Sequence, residues 1–143
     1  MITNCSKVVP VEVSMDDVPH KSRIVYCMID EVASTSVIDD ELLEYFGKTF
    51  PCVSYNVNFA QDKCYVRSRG QLVRDLSVRG VMMREVVSIE EALSCHSLPA
   101  AWNEVATPDM ALAHDHCRPY AHLIPPYNPN LKVQLLIGHA TPV

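Results

Sequence analysis

The stretch best equipped for chemistry is Cys27-Met28-Ile29-Asp30-Glu31-Val32-Ala33-Ser34-Thr35-Ser36-Val37-Ile38. An apolar run delivers one aspartate into a tight loop, and the chain leaves through three small hydroxyl-bearing residues into a second apolar pair. A carboxylate fixed at the end of a strand can activate a water or donate a proton. Its bland reading is a turn aspartate closing a strand. A second constellation, His114-Asp115-His116-Cys117 with Cys95-His96 upstream, offers imidazole and thiolate, the ligands of zinc. The spacing matches no common structural site, and a helix would aim His114 and His116 to different faces. Neither a metal nor another cofactor is therefore expected. Serine catalysis lacks support, because no nucleophile-elbow sequence occurs.

The elements that must position Asp30 can be read on either side of it. Lys7 to Ser14 alternates apolar and polar, with Pro10 inside, so it is an edge strand or begins at Val11. Met15 to Lys21 is polar, contains Pro19 and reads as a connection. Arg23 to Ile29 is a continuous apolar run, as expected of a central strand buried on both faces. Asp39 to Gly47 reads as a short helix: acidic residues at its start, a Leu42, Leu43, Phe46 stripe, and Gly47 as the stop. Val53, Tyr55, Val57 and Phe59 alternate with polar residues, the pattern of a half-buried strand. Gln61 to Gly70 is a polar hairpin tip. Leu72 to Arg79 and Val81 to Ile89 are two further strands, and Glu90 to Cys95 one helical turn. Thr107-Pro108-Asp109 opens a helix running from Met110 to Cys117 and stopping at Pro119. Pro125-Pro126-Tyr127-Asn128-Pro129 is a rigid loop, and Val133 to Ile137 a final buried strand ending at Gly138.

A chain of 143 residues carries one core of ordinary size, so residues 1–143 are expected to form a single domain. A formal net charge of -5 disfavours nucleic acid as a partner, because phosphate contacts need clustered cations. Arg67, Arg69, Arg74 and Arg79 are the one local cluster, expected as a solvated face. No apolar run reaches the roughly 20 residues that span a bilayer, so no membrane association is expected. Met1 to Cys5 shows no leader pattern, and six scattered cysteines without close pairs suit free thiols in the cytoplasm. The end at Pro142-Val143, just after the last strand, suggests a domain excised from a longer chain.

The order of these pieces resembles the retropepsins, in which an Asp-Thr/Ser-Gly loop is followed by small residues, a Ser/Thr and two aliphatics. A late apolar-apolar-Gly strand lies beside that loop; here it would be Leu136-Ile137-Gly138. The chain is similar in particular to the protease domain of Pao/BEL-type retrotransposon polyproteins. The resemblance is carried by Cys5-Ser6-Lys7-Val8, Ile29-Asp30-Glu31, Leu76-Ser77-Val78-Arg79-Gly80, Val105-Ala106-Thr107-Pro108-Asp109, Ile124-Pro125-Pro126 and Leu135-Leu136-Ile137-Gly138. It implies a mainly β, closed barrel-like domain with one or two short helices, dimerising around a polypeptide substrate. The catalytic aspartate would be Asp30, and the substrate-covering flap Gln61 to Gly70. The loop departs from the wider pattern at Glu31 and Val32, as some members of the branch also do. Where the family often has Arg-Asp after the late Gly, this chain has His139-Ala140.

Aspartic proteolysis needs two carboxylates sharing one proton, one ionised to activate water and one protonated to donate to the carbonyl oxygen. The chain holds one suitable aspartate, so the second must come from a twin across a two-fold axis. Glu31 cannot supply the neutral hydroxyl bond that braces such loops, and Val32 resists positive φ. Ala33 completes the loop, and Ser36 stands where these loops keep a structural hydroxyl. Two expectations follow: an endopeptidase processing a retroelement polyprotein as a homodimer, or a degenerate domain kept for dimerisation or peptide binding.

Overall fold

The computed structural model describes residues 8–30, 33–57, 66–81, 83–96, 98, 105 and 107–139. The sheet begins with a hairpin. Strand β1 (Val8–Met15) turns through Asp16 and Asp17 into β2 (Val18–Asp30), and the two pair antiparallel from Val8↔Met28 onward. The connection expected over Met15 to Lys21 is thus only a two-residue turn. Polar side chains at one edge of a long ladder hid the start of the strand. Pro10 costs this ladder nothing: its carbonyl accepts from Val81 N–H on the other side of β1, so its missing donor lies off the β1–β2 seam.

Beyond the hairpin come β3 (Ser36–Asp39), α1 (Asp40–Phe46), β4 (Cys52–Val57), β5 (Val66–Gly80), β6 (Val86–Cys95), α2 (Pro108–Leu112), a 3-10 helix (Arg118–Leu123) and β7 (Val133–Gly138). The strands form one seven-stranded mixed sheet in the order β1-β2-β7-β3-β6-β5-β4, and β1 also pairs with β5. Strand β5 serves two neighbours on one side. Its first part pairs with β4 up to Gln71, and Leu76 to Gly80 pairs with β1. Between them Asp75 adopts a left-handed φ of 66° and leaves the β5–β6 ladder, which resumes at Leu76 in unchanged register. Aspartate tolerates this region better than most side chains.

The core is aliphatic and lies inside this arrangement, with Val13, Cys27, Ile38, Leu42, Val73, Leu76, Ile89 and Leu135 fully buried. Strand β2 is buried on both faces only at Val25–Cys27. Val25 and Cys27 enter the main core, Tyr26 joins Val8 and Val105 in a second cluster, and Ile24 is 43% exposed. The segment between β6 and β7 is pinned over that second cluster. Tyr127 stacks on Tyr26 at 6.0 Å, and Asn128 N–H donates to the Tyr26 hydroxyl at 2.8 Å.

Helix α1 forms as its residue types require. Asp40 and Glu41 occupy the first turn, Leu42, Leu43 and Phe46 are buried, and Gly47 closes the helix at φ 70°. Thr107 caps α2 by accepting from Met110 N–H. That helix ends at Leu112 rather than Cys117, and Pro119 falls inside the 3-10 helix instead of stopping an α-helix. The helical turn expected at Glu90 to Cys95 is instead the second half of β6. There the chain is tied antiparallel to β5 and parallel to β3, and ladder bonds on both sides override a helix-favouring Glu-Glu-Ala-Leu composition. The strand expected from Val81 starts only at Val86. The polar tip at Gln61 to Gly70 shrinks, because 66–70 is strand; positions 61–65 lie outside the described residues. Arg69, Arg74 and Arg79 are exposed on β5, with Arg79 paired to Glu12 at 2.6 Å and Arg74 to Glu91 at 3.5 Å. Among the described residues no helix is long and apolar enough to cross a membrane.

Burial lifts the Cys27 thiol from 9.0 to about 12, only partly offset by a backbone bond from Ile137. Below about pH 9 the thiol is neutral in both folded and unfolded chains. Above it the unfolded chain releases a proton that the folded one retains, so stability falls as pH rises from 9.0 to about 12. Urea titrations across this alkaline window should give a shallower loss of stability for Cys27→Ala than for the wild type, whatever the offset at neutral pH.

Candidate functional site

Asp30 is the last residue of β2, and β7 arrives beside it in parallel register: Met28↔Leu136, Ile29↔Ile137, Asp30↔Gly138. On its other side β7 runs antiparallel to β3, with Val37↔Leu136 and Ile38↔Leu135. The late strand therefore lies between the two arms of the Asp30 loop. Leu136 and Ile137 are buried and secure it there.

Two contacts set how closely β7 approaches. Gly138 N–H donates to Ser36 Oγ at 3.2 Å, and Ser36 is 2% exposed. A Cβ on Gly138 would stand 2.8 Å from both the Ala33 and the Thr35 carbonyl oxygens, nearer than real Cβ atoms come. The glycine is required by contact, since only a bare Cα lets the strand lie against the returning arm. Ser36 is thus a buried acceptor that joins both sides of the loop.

Ala33 is the inner pivot. Its N–H lies 3.3 Å from both the Asp30 carbonyl oxygen and Asp30 Oδ1, a shared bond of the kind common where chains turn. Its carbonyl accepts from His139 N–H at 2.8 Å and from the His139 ring at 2.9 Å. Asp30 itself is half-buried. Glu31 and Val32, the two departures from the protease pattern, lie outside the described residues.

Beside the loop lies a groove of about 720 Å³, lined by Ser34, Thr35 and Ser36 and by Leu72, Val87 and Glu90 among others. The hydroxyl arm thus faces open space large enough for several side chains. A buried polar pair close by escaped the sequence reading: Gln134 donates to Asp39 Oδ2 at 3.0 Å, joining β7 to the far end of β3. Only the oddity of a Gln inside an apolar run could have signalled it.

The other constellation does not assemble. Because α2 ends at Leu112, His114 and His116 sit in turns, exposed, with rings 5.9 Å apart. Among the described residues no group of three or more His, Cys, Asp or Glu side chains could hold a metal ion. His96 Nδ1 lies 3.9 Å from Asp40 Oδ2. No family model matches the chain, and no curated protein does either.

Removing the Ser36 hydroxyl leaves a buried amide without its acceptor, which costs about 1–3 kcal/mol. Ser36→Ala should lower stability by that amount in denaturant titrations. Gly138→Ala should match or exceed it through the forced contacts with Ala33 and Thr35. Wild-type stability in both variants would show that β7 does not depend on these contacts.

Proposed function

We propose that this chain is an aspartic endopeptidase domain that acts as a homodimer, each subunit lending Asp30 to a shared dyad. The observation that carries the reading is the passage of β7 between the arms of the Asp30 loop, with Gly138 in register with the aspartate. A general turn aspartate has no need of such support. A reacting carboxylate does, because proton transfer depends on position to within fractions of an ångström. The sheet adds to the case. Pairing of β1 with β5 brings the strand order back to its start, with β4 outside, and this suits a closed retropepsin-like barrel. The groove next to Ser34, Thr35 and Ser36 suits an extended polypeptide.

The chemistry is that of two facing carboxyls. Like charges about 3 Å apart resist double ionisation, so one proton is held between them. The ionised Asp30 takes a proton from water as the water attacks the scissile carbonyl carbon. The protonated partner donates to the carbonyl oxygen; as the tetrahedral adduct collapses, the carboxyl that took the proton from water gives it to the leaving nitrogen and its partner regains one from the adduct's hydroxyl, releasing amine and acid. A retroelement polyprotein is the substrate proposed, on the strength of the ordered motifs. The alternative, a degenerate domain retained for self-association or peptide binding, draws on Glu31 and Val32. These stand where the protease pattern has a hydroxyl residue and a glycine.

Incubation with an unbiased peptide library on the acid side of neutrality should yield cleavage by the wild type and none by Asp30→Asn. Mixing wild type with an equal amount of Asp30→Asn under subunit exchange should leave roughly one quarter of the starting activity per total dimer, the fraction that pairs two aspartates. A value of one half would mean that each subunit acts alone. Self-association without cleavage would favour the degenerate reading.

A further inference from the structure

We propose that His139 is a positioning residue for Asp30, acting through Ala33; this rests on the reading of Asp30 as the reacting carboxylate. His139 is the first residue beyond β7. Its backbone N–H and its ring both reach one acceptor, the Ala33 carbonyl oxygen, at 2.8 and 2.9 Å. A carbonyl oxygen can only accept, so Nδ1 must carry the hydrogen. Ala33 in turn directs its own N–H at Asp30, touching Oδ1 and the carbonyl oxygen at 3.3 Å. The two peptide groups flanking Ala33 are therefore held from opposite directions, one by His139 and one by the aspartate.

The bond lengths say where rigidity enters. The contacts on the His139 side are 2.8 and 2.9 Å, within the usual range for N–H···O bonds, whereas those reaching Asp30 are shared and long. The long pair cannot fix Ala33 unaided. Gly138 limits the sideways movement of the same carbonyl, since the space a Cβ would need is filled by the Ala33 oxygen. The ring bond removes the remaining rotation. A long cationic side chain is not needed for this task; one short donor two bonds beyond Cβ suffices.

That geometry sets the test. Asparagine places its amide nitrogen two bonds beyond Cβ, as His139 places Nδ1, whereas glutamine places it one methylene further. Backbone amide exchange is to be measured by NMR on the full chain for wild type, His139→Ala, His139→Asn and His139→Gln, together with kcat and KM on a peptide that the wild type cleaves. The Ala33 amide should exchange roughly tenfold faster in the alanine and glutamine variants and near the wild-type rate in the asparagine variant. kcat should fall and recover in the same order, with KM unchanged. Equal Ala33 exchange in all four proteins overturns the proposal, whatever the activities do. A matching loss of protection spread over β7 and β3 also overturns it, since that marks general destabilisation. If the exchange series follows the expected order but no protein cleaves peptide, the reading of Asp30 fails and the catalytic part of the proposal falls with it.

Discussion

Strand β7 must enter the sheet between the two arms of a single loop, and much of the surrounding structure answers to that requirement. A parallel neighbour for β2 and an antiparallel neighbour for β3 have to be the same strand. The gap between the arms admits a backbone at its tip but no side chain, so Gly138 stands where the chain is tightest. The bond that registers this meeting, from Gly138 N–H to Ser36 Oγ, joins residues 102 positions apart. Such a contact is non-local, and the intervening strands must bring β7 back to the loop before it can form. The Asp30 loop is therefore ordered by the sheet as a whole rather than by its own turn chemistry.

Buried polar groups show how register is maintained around the insertion. Among the described residues the buried polar side chains are Ser36, Asp39, Ser94 and Gln134, and all lie on β3, β6 and β7, three consecutive strands. Three of their bonds tie one element to another. Ser36 accepts from β7, Asp39 accepts from Gln134 of β7, and Ser94 accepts from Gln71 N–H of β5 at 2.8 Å. A slip by one residue would turn each of these groups away from its partner and bury it unsatisfied, at a cost well above the bond's own worth. Aliphatic packing supplies the adhesion here, while these few polar bonds select one alignment among several of similar apolar burial.

What could be read along the chain was what depends on near neighbours. Gly47 ending α1, Thr107 capping α2 and the alternation in β4 all arise within a few residues, and each is found where its residue types call for it. What could not be read depends on remote partners. Glu90 to Cys95 carries good helix formers, yet β3 and β5 claim both of its edges. Val18 to Lys21 looks like a loop, yet Val18 pairs with Met15 and the strand runs on through an irregularity to Ser22, which pairs with Ser14. At the site, Asp30, Ser36 and Gly138 were evident as types in order. The part played by Ala33, pinned by a histidine 106 positions away, was not, because an alanine announces nothing about what its backbone bonds to. His139 itself looked like a departure from a family pattern rather than a contact.

The remaining question for a two-carboxylate reaction is where the second carboxylate would come from, and the fold narrows it. Asp39 is 7% exposed and engaged by Gln134, and it ends β3, about 10 Å of strand beyond Ser36. Asp40 opens α1 at the same end. Neither can reach a substrate that lies against Asp30 without unpairing β3 from both of its neighbours. Glu90 and Glu91 belong to β6 and line the groove beside the hydroxyl arm. Among the described residues, Asp39 and Asp40 are thus held at the far end of β3. A dyad built on Asp30 then requires a second copy of the same loop, and a two-fold axis brings two such loops together with equal and opposite geometry. Under that arrangement the support that each subunit gives its own aspartate, from Ala33 inward and from β7 behind, becomes support for both. A weak brace would be penalised twice. On the proposed dimeric reading, that double penalty is the reason so small a loop is anchored by a buried serine, a glycine that tolerates no side chain and a histidine at once.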